Sequence, residues 1–247
     1  MPALPEAFKV RIQDQLGQDW PAFEAALHHP PPVSVNYNRA KVDAPLYEGQ
    51  PVPWNESGQY LPKRPSFTLD PHFHAGRYYV QEAGSMFLAY VLQQLQQAHS
   101  FHTALDLCGA PGGKASVLLN TLPGDCIVVA NEVIKSRFAI LKDNLAKWGR
   151  ANVIATHADS ERFASLAGYF DLVVVDAPCS GEGLFRKTPE ATKEWSTENV
   201  RLCETRQQGI LTNTLPLIAP GGILLYSTCT YYEGENDQQV AGILEGG

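Results

Sequence analysis

No run of about 18 apolar residues occurs in the 247-residue chain, so it offers no segment able to cross a membrane as a helix. The start, MPALPEAFKVRIQDQL, carries charge and polarity where a secretory signal needs an apolar stretch. Both absences point to a soluble, cytoplasmic protein. Cysteine is scarce: Cys108, Cys126, Cys179, Cys203 and Cys229 show neither C-x-x-C pairs nor zinc-like Cys/His spacing, which argues against a metal site and leaves free thiols in a reducing compartment. Basic charge is also short. Nineteen Lys and Arg against 26 Asp and Glu give a formal charge of −7, so any grip on nucleic acid must be local rather than a matter of bulk electrostatics. There is no internal repeat and no low-complexity tract.

What is present divides near residue 77. Leu4, Phe8, Ile12 and Leu16 recur every four residues and stop at Gly17, predicting a helix with a glycine at its C-terminus. Asp19 is placed to cap a second helix carrying Phe23 and Leu27, which Pro30-Pro31-Pro32 ends. Val33-Ser34-Val35 then predicts a strand, and a Pro-rich, Gly-containing connection runs to Arg77. A small α+β N-terminal domain is expected over 1–77.

From Tyr78 the pattern predicts a helix through Ser85–Leu92 and then strict alternation. Short apolar runs at Thr103–Leu107, Ile127–Ala130, Val153–Ala155, Leu172–Val175 and Ile223–Tyr226 are separated by helical stretches. The clearest helix carries Ile134, Phe138, Leu141, Leu145 and Trp148 and closes at Gly149. Such alternation predicts an α/β fold over 78–247, a doubly wound, mostly parallel sheet with ligands at the C-terminal ends of its strands. Pro216 falls inside the helix that begins near Asn199, where proline costs about 3 kcal/mol unless the helix kinks or ends, and a bend is expected.

The strand ends carry the chemistry. After the first comes Asp106-Leu107-Cys108-Gly109-Ala110-Pro111-Gly112-Gly113-Lys114, a small-residue loop opening a helix, where backbone can approach a ligand closely. Cys108 and Ala115 break the P-loop pattern, and the loop is not G-x-G-x-x-G. The bland alternative is a tight turn without ligand. Glu132 ends the second strand, where a carboxylate can accept both hydroxyls of a ribose; taken alone it would be a solvated strand end. Asp159, after the third, is either a ligand for an adenine amino group or an N-cap for the segment from Ser160. The fourth strand delivers Asp176-Ala177-Pro178-Cys179-Ser180-Gly181-Glu182-Gly183 and the fifth Ser227-Thr228-Cys229-Thr230, so two thiols are expected at the edge that carries the loop. A lone cysteine is more often a small buried hydrophobe, the reading given to Cys126 and Cys203.

Gln81-Glu82-Ala83-Gly84-Ser85-Met86, Asp106 to Lys114, Asp176 to Gly183 and Ser227 to Thr230 together resemble, in order, the motifs of the Sun family of RNA cytosine-5 methyltransferases. Leu4-Pro5-Glu6-Ala7-Phe8 and Ala75-Gly76-Arg77-Tyr78-Tyr79 are most similar to its bacterial branch acting on cytosine in small-subunit (16S) ribosomal RNA. The resemblance implies a Rossmann-like methyltransferase core using S-adenosyl-L-methionine. It implies that Cys108, Gly109, Ala110, Pro111, Gly112, Gly113 and Lys114 hold the methionine part of that cofactor, with Glu132 on the ribose, Arg137 supporting Glu132, Asp159 near the adenine and Asp176 also among the cofactor-binding residues. It implies further that Cys229 is the nucleophile, that Asp176 bonds the target cytosine and that Cys179 assists product release. The expected partner is 16S ribosomal RNA or the small ribosomal subunit, with no membrane and no metal, and the expected state is a monomer.

The chemistry explains the need for a thiol: cytosine C5 is too weak a nucleophile to take a methyl group until a thiolate has added at C6. Lys135, Arg137, Lys142, Lys147 and Arg150 surround one helix, and Arg186-Lys187 follow the fourth motif; the last two are the better candidates for contact with RNA. Relatives commonly carry arginine where Asn36 stands, which weakens an RNA role there. The stop at Gly246-Gly247, soon after Glu233-Gly234-Glu235-Asn236-Asp237, suggests a C-terminally incomplete chain. Two rivals remain: a cofactor- or RNA-binding module without turnover, and an amino-group methyltransferase, which the thiol of Cys179 disfavours.

Overall fold

The computed structural model describes residues 4–245. Met1, Pro2 and Ala3 of the expected N-terminal domain, and Gly246-Gly247 where the chain stops, lie outside them. The chain forms two compact units, one from residues up to Pro31, Ala177–Thr212 and Tyr226 onward, the other from Pro32–Asp176 and Asn213–Leu225.

The first unit contains helices α1 (Glu6–Leu16) and α2 (Trp20–His28). Phe8 and Ile12 of α1, Trp20 of α2 and Phe185 are buried together, the face that the four-residue repeat predicts. Gly17 ends α1 at φ 53°, as expected. Asp19 precedes α2 but its side chain makes no cap, because its own backbone is already helical rather than extended.

In the second unit β1 (Val33–Tyr37) belongs to a four-stranded antiparallel sheet with β2 (Gln50–Val52), β3 (Asn55–Leu61) and β4 (Tyr78–Val80), in the order β2-β3-β1-β4. The stretch expected as a connection therefore contains two strands, with a four-residue helix α3 (Pro71–His74) capped by Asp70. Tyr78–Val80 is a strand rather than the start of a helix, pairing Val80 with Val35, and α4 (Phe87–Leu95) begins only after a 3-10 turn. The sheet thus extends past residue 77.

The larger sheet has the order β7-β6-β5-β8-β9, formed by β5 (Thr103–Asp106), β6 (Ile127–Asn131), β7 (Val153–Thr156), β8 (Phe170–Asp176) and β9 (Ile218–Ser227). The pairs β5-β6, β6-β7 and β5-β8 are parallel. Leu172, Val173, Val174 and Val175 of β8 are all buried, the continuous apolar run of a strand covered on both faces. Helices α5 (Gly113–Thr121) and α6 (Lys135–Trp148) connect the strands, and Leu118, Leu141, Leu145 and Trp148 pack into the core with Ala104, Val128 and Val174. This is the doubly wound arrangement expected, with the strand order reversing between β5 and β8.

Two short helices complete the fold, α7 (Ala191–Glu194) and, at the C-terminus, α9 (Asp237–Glu245); between them lies α8 (Thr197–Thr214). The expected bend at Pro216 is instead a helix end: α8 stops at Thr214 and Pro216 sits early in a separate 3-10 turn, where its missing N–H is tolerated. No helix among the described residues is long and apolar enough to cross a membrane.

Candidate functional site

In the second unit the loop after β5 lies at the strand-order reversal, where ligands bind in open α/β sheets. Its main chain is tied to both neighbours: Leu107 N–H donates to Val174 O at 3.0 Å and Gly109 N–H to Asn131 O at 2.7 Å. Gly112 reaches φ 113°, which no residue with a Cβ adopts at ease, and that turn starts α5 with uncapped amides at its N-terminus. Arg137 Nη2 donates to Ala110 O and Asn144 Nδ2 to Pro111 O, both at 2.8 Å, fixing the loop from α6.

Glu132, at the end of β6, is almost wholly buried. One oxygen accepts from Ile134 N–H at 2.8 Å, whereas Oε2 faces Arg137 Nη1 at 3.4 Å and has no hydrogen-bond partner. Lys114 Nζ pairs with Asp176 Oδ1 at 2.7 Å, joining the loop to the end of β8. Asp106 lies beneath with neither oxygen in a well-formed hydrogen bond; burial pushes its carboxyl up to about 7, the Asp176 charge adds to this, and Lys114 and the Ala115 N–H oppose it. Burial likewise pushes the Cys108 thiol up to about 12, so it stays protonated and inert at neutral pH.

In the first unit Cys179 Sγ and Cys229 Sγ stand 3.2 Å apart, and the Cys229 N–H reaches the Cys179 sulfur at 3.3 Å. These bonds from Cys229, the side-chain one foremost, hold the Cys179 thiol below its ordinary value in spite of burial. The two segments are laced together by Gly183 N–H to Cys229 O at 2.8 Å and by the Ser180 and Thr230 hydroxyls at 2.9 Å. Beside them Glu182 is fully buried, ion-paired with Arg11 and accepting from Trp195 Nε1 at 3.0 Å and Tyr231 N–H at 3.2 Å.

The structure therefore joins Cys179 with Cys229, Lys114 with Asp176, and Arg137 with Glu132 and the loop. Asp159 takes the N-cap position, accepting from Glu161 N–H at 3.2 Å. Arg186, expected to face RNA, instead donates to His29 O and Pro30 O, both at 2.9 Å, capping the end of α2. Asn36 is a buried tie, within hydrogen-bond distance of Ser116, Asn55 and Asn120. Sequence reasoning gave no role to Glu182, Gln207, Glu235 or Gln81. Gln81 is buried with neither amide atom hydrogen-bonded, its nitrogen 3.2 Å from where a Cβ on Gly113 would stand. For Gln81, Glu182 and Glu235 the only signal was a polar residue inside a quoted segment, which does not tell burial from exposure, and Gln207, in the middle of α8, had none. No cluster of metal-ligating side chains occurs among the described residues.

Residues 91–246 match a family described as 16S rRNA methyltransferase RsmB/F, and residues 4–83 match the N-terminal domain of 16S rRNA methyltransferase RsmF. The ribosomal RNA small subunit methyltransferase F of Aliivibrio salmonicida is 33% identical over 249 residues, taking in 94% of this chain and 52% of its own. That of Pectobacterium atrosepticum is 36% identical over 232 residues, 87% of this chain and 47% of its own. The chain spans about half the length of the curated relatives it matches. A solved methyltransferase homolog protein from Pyrococcus horikoshii has a TM-score of 0.77 at 29% identity, over 93% of this chain and 74% of that one. NSun6 from the same organism, at 17% identity and a TM-score of 0.82 over 98% and 88%, shares the fold.

Proposed function

The chain belongs to the 16S rRNA methyltransferase RsmB/F family, and we propose that it transfers a methyl group from S-adenosyl-L-methionine to C5 of a cytosine in 16S ribosomal RNA, in the cytoplasm, through a covalent bond from Cys229 to C6. The observation that carries the reading is the pair of sulfurs 3.2 Å apart on the two motif segments, since one thiol attacks and a second group must undo the attack. The break between the two family matches, at 83 to 91, supports an N-terminal domain and a catalytic domain dividing near the boundary expected at residue 77.

The cofactor supplies an electrophilic methyl group on its sulfonium. Cys108 to Lys114 would receive its methionine end, with Gln81 beside Gly113 as a further polar group; Glu132 Oε2, buried without a hydrogen bond, has the unmet acceptor that a ribose hydroxyl satisfies. Asp159, N-capping the turn after β7, would contact the adenine through its remaining acceptor capacity. Asp176, oriented by Lys114, would share a proton with N3 of the cytosine as Cys229, its thiol proton lost to solvent, bonds to C6 as the thiolate and the ring electrons move to C5. Once C5 is methylated, Cys179 takes the C5 proton, the electrons return to the ring and the Cys229 bond to C6 breaks. The Cys229 N–H, 3.3 Å from the Cys179 sulfur, remains to favour the Cys179 thiolate once the Cys229 thiol is engaged on C6.

The same lowered thiol favours one second reading, in which Cys179 of the Pro-Cys pair attacks, as in DNA cytosine methyltransferases. Incubation with labelled cofactor and either small ribosomal subunits or stripped ribosomal RNA tests turnover, and no transfer to either would reduce the chain to a binding module. RNA carrying 5-fluorocytosine traps the adduct: peptide mapping should place it on Cys229, and a trap retained in Cys229→Ala but lost in Cys179→Ala would reverse the roles. With ordinary RNA, Cys179→Ala should accumulate a covalent complex on denaturing gels, because attack survives while release stalls.

A further inference from the structure

Gln207 and Glu235 are both fully buried in the first unit. Gln207 Nε2 donates to Pro178 O at 3.1 Å and to Glu235 Oε2 at 2.9 Å; the same Glu235 oxygen accepts from Ser180 N–H at 2.9 Å. Pro178 and Ser180 are the two chain neighbours of Cys179. The pair thus holds the main chain immediately before and immediately after that cysteine. Glu235 is itself anchored through its main chain, its carbonyl accepting from Tyr226 Oη at 2.8 Å.

We propose that Gln207 and Glu235 are positioning residues for Cys179: by gripping its two flanking peptide groups they keep its sulfur on the Cys229 sulfur. Three observations support this. The bonds go to backbone, so they fix the loop whatever its side chains are. The Cys179 backbone makes no use of regular secondary structure for its placement, lying between the end of β8 and the turn at Glu182–Leu184. Finally, Glu235 Oε1 and Gln207 Oε1 are both buried without a hydrogen-bond partner, a cost that stability alone gives no reason to keep. A fold selecting only for stability would place apolar side chains here; a fold that must hold a thiol in register keeps the carboxylate and the amide.

The inference depends on the proposed function only for what the register achieves, so its test reads the register directly. Diamide, a two-electron oxidant, takes one hydrogen from each of two thiols and becomes a hydrazine while a sulfur–sulfur bond forms. Wild-type protein should yield the Cys179–Cys229 disulfide, found by peptide mapping as a loss of two mass units. Gln207→Met and Glu235→Leu should form it at least tenfold more slowly, whereas Glu235→Gln, whose amide oxygen can still accept from Ser180 N–H, should restore most of the rate. Circular dichroism identifies any variant that fails to fold, and Glu235→Gln against wild type then carries the comparison with Gln207→Met. Disulfide formation at the wild-type rate in a folded Gln207→Met protein would overturn the proposal. In the RNA assay the slow variants should accumulate the covalent complex that Cys179→Ala accumulates. If no variant and not even wild type modifies RNA while the disulfide rates still separate, the proposed function fails and the positioning role stands.

Discussion

A buried carboxylate oxygen without a donor costs a fold roughly 1–3 kcal/mol until something binds to it, and Glu132 Oε2 is such an atom. Arg137, at 3.4 Å, balances its charge without completing a hydrogen bond. Glu132→Ala should therefore weaken S-adenosyl-L-methionine binding at least tenfold, about 1.4 kcal/mol, by titration calorimetry, and equal affinity would remove Glu132 from the ribose. Asp106 makes a prediction of opposite sign. Its folded pKa of about 7 lies above the ordinary carboxylate value of about 3.9, so between these the folded state holds a proton that the unfolded chain has lost. Stability contributed by that proton is complete below about pH 4 and lost as pH rises through 7. Asp106→Asn should gain on wild type by roughly 2–4 kcal/mol between pH 4 and 8 in urea melts, and parallel pH profiles would show that Asp106 is ionised when folded. The loop, Glu132 and the thiol motifs were legible because a strand end followed by glycines or a cysteine is unusual in itself. Asn36, Gln207 and Glu235 were not, since burial of a polar side chain is decided by what packs over it.

At the scale of elements the legible parts were those with an apolar period. The period of Ile134, Phe138, Leu141, Leu145 and Trp148 makes α6 legible, although Ile134 stands exposed at the N-cap, and Gly149 marks its end, taking φ 76° and returning its N–H to Leu145 O at 3.0 Å. A Cβ there would crowd the end of the Lys41 side chain, at 3.2 and 3.3 Å, and touch Lys147 O at an ordinary 3.8 Å, so the main penalty of substitution is the backbone strain. Gly149→Ala should cost about 1 kcal/mol, or about 2–4 °C in melting temperature, with cofactor binding unchanged. No shift would mean that the turn relaxes to another cap. The strands β2 and β3 escaped notice for the reverse reason. In NESGQYL the buried positions include Asn55, Ser57 and Gln59, which are satisfied by hydrogen bonds such as Tyr37 Oη to Gln59 Oε1 at 2.6 Å, and a strand that buries polar groups has no apolar alternation to read.

The whole molecule carries a formal charge of −7, and two of its arginines are occupied by the protein itself: Arg137 by Ala110 O and Glu132, Arg186 by His29 O and Pro30 O. On the proposed function, contact with RNA phosphates then comes from a few basic side chains set against an acidic background. Each phosphate neutralised on single-stranded RNA contributes about −0.7 to the slope of log affinity against log salt. If about three or four phosphates are engaged, the slope for this chain should be roughly −2 to −3, and recognition should rest more on the flipped cytosine and its neighbours than on the backbone. Fluorescence anisotropy with a short RNA at several salt concentrations measures it. The Lys187→Ala variant should make the slope shallower by about 0.7, the counterion release of one phosphate contact. A slope near −7, the mark of about ten phosphates, would reveal an extended basic track and overturn the view that this chain recognises RNA locally.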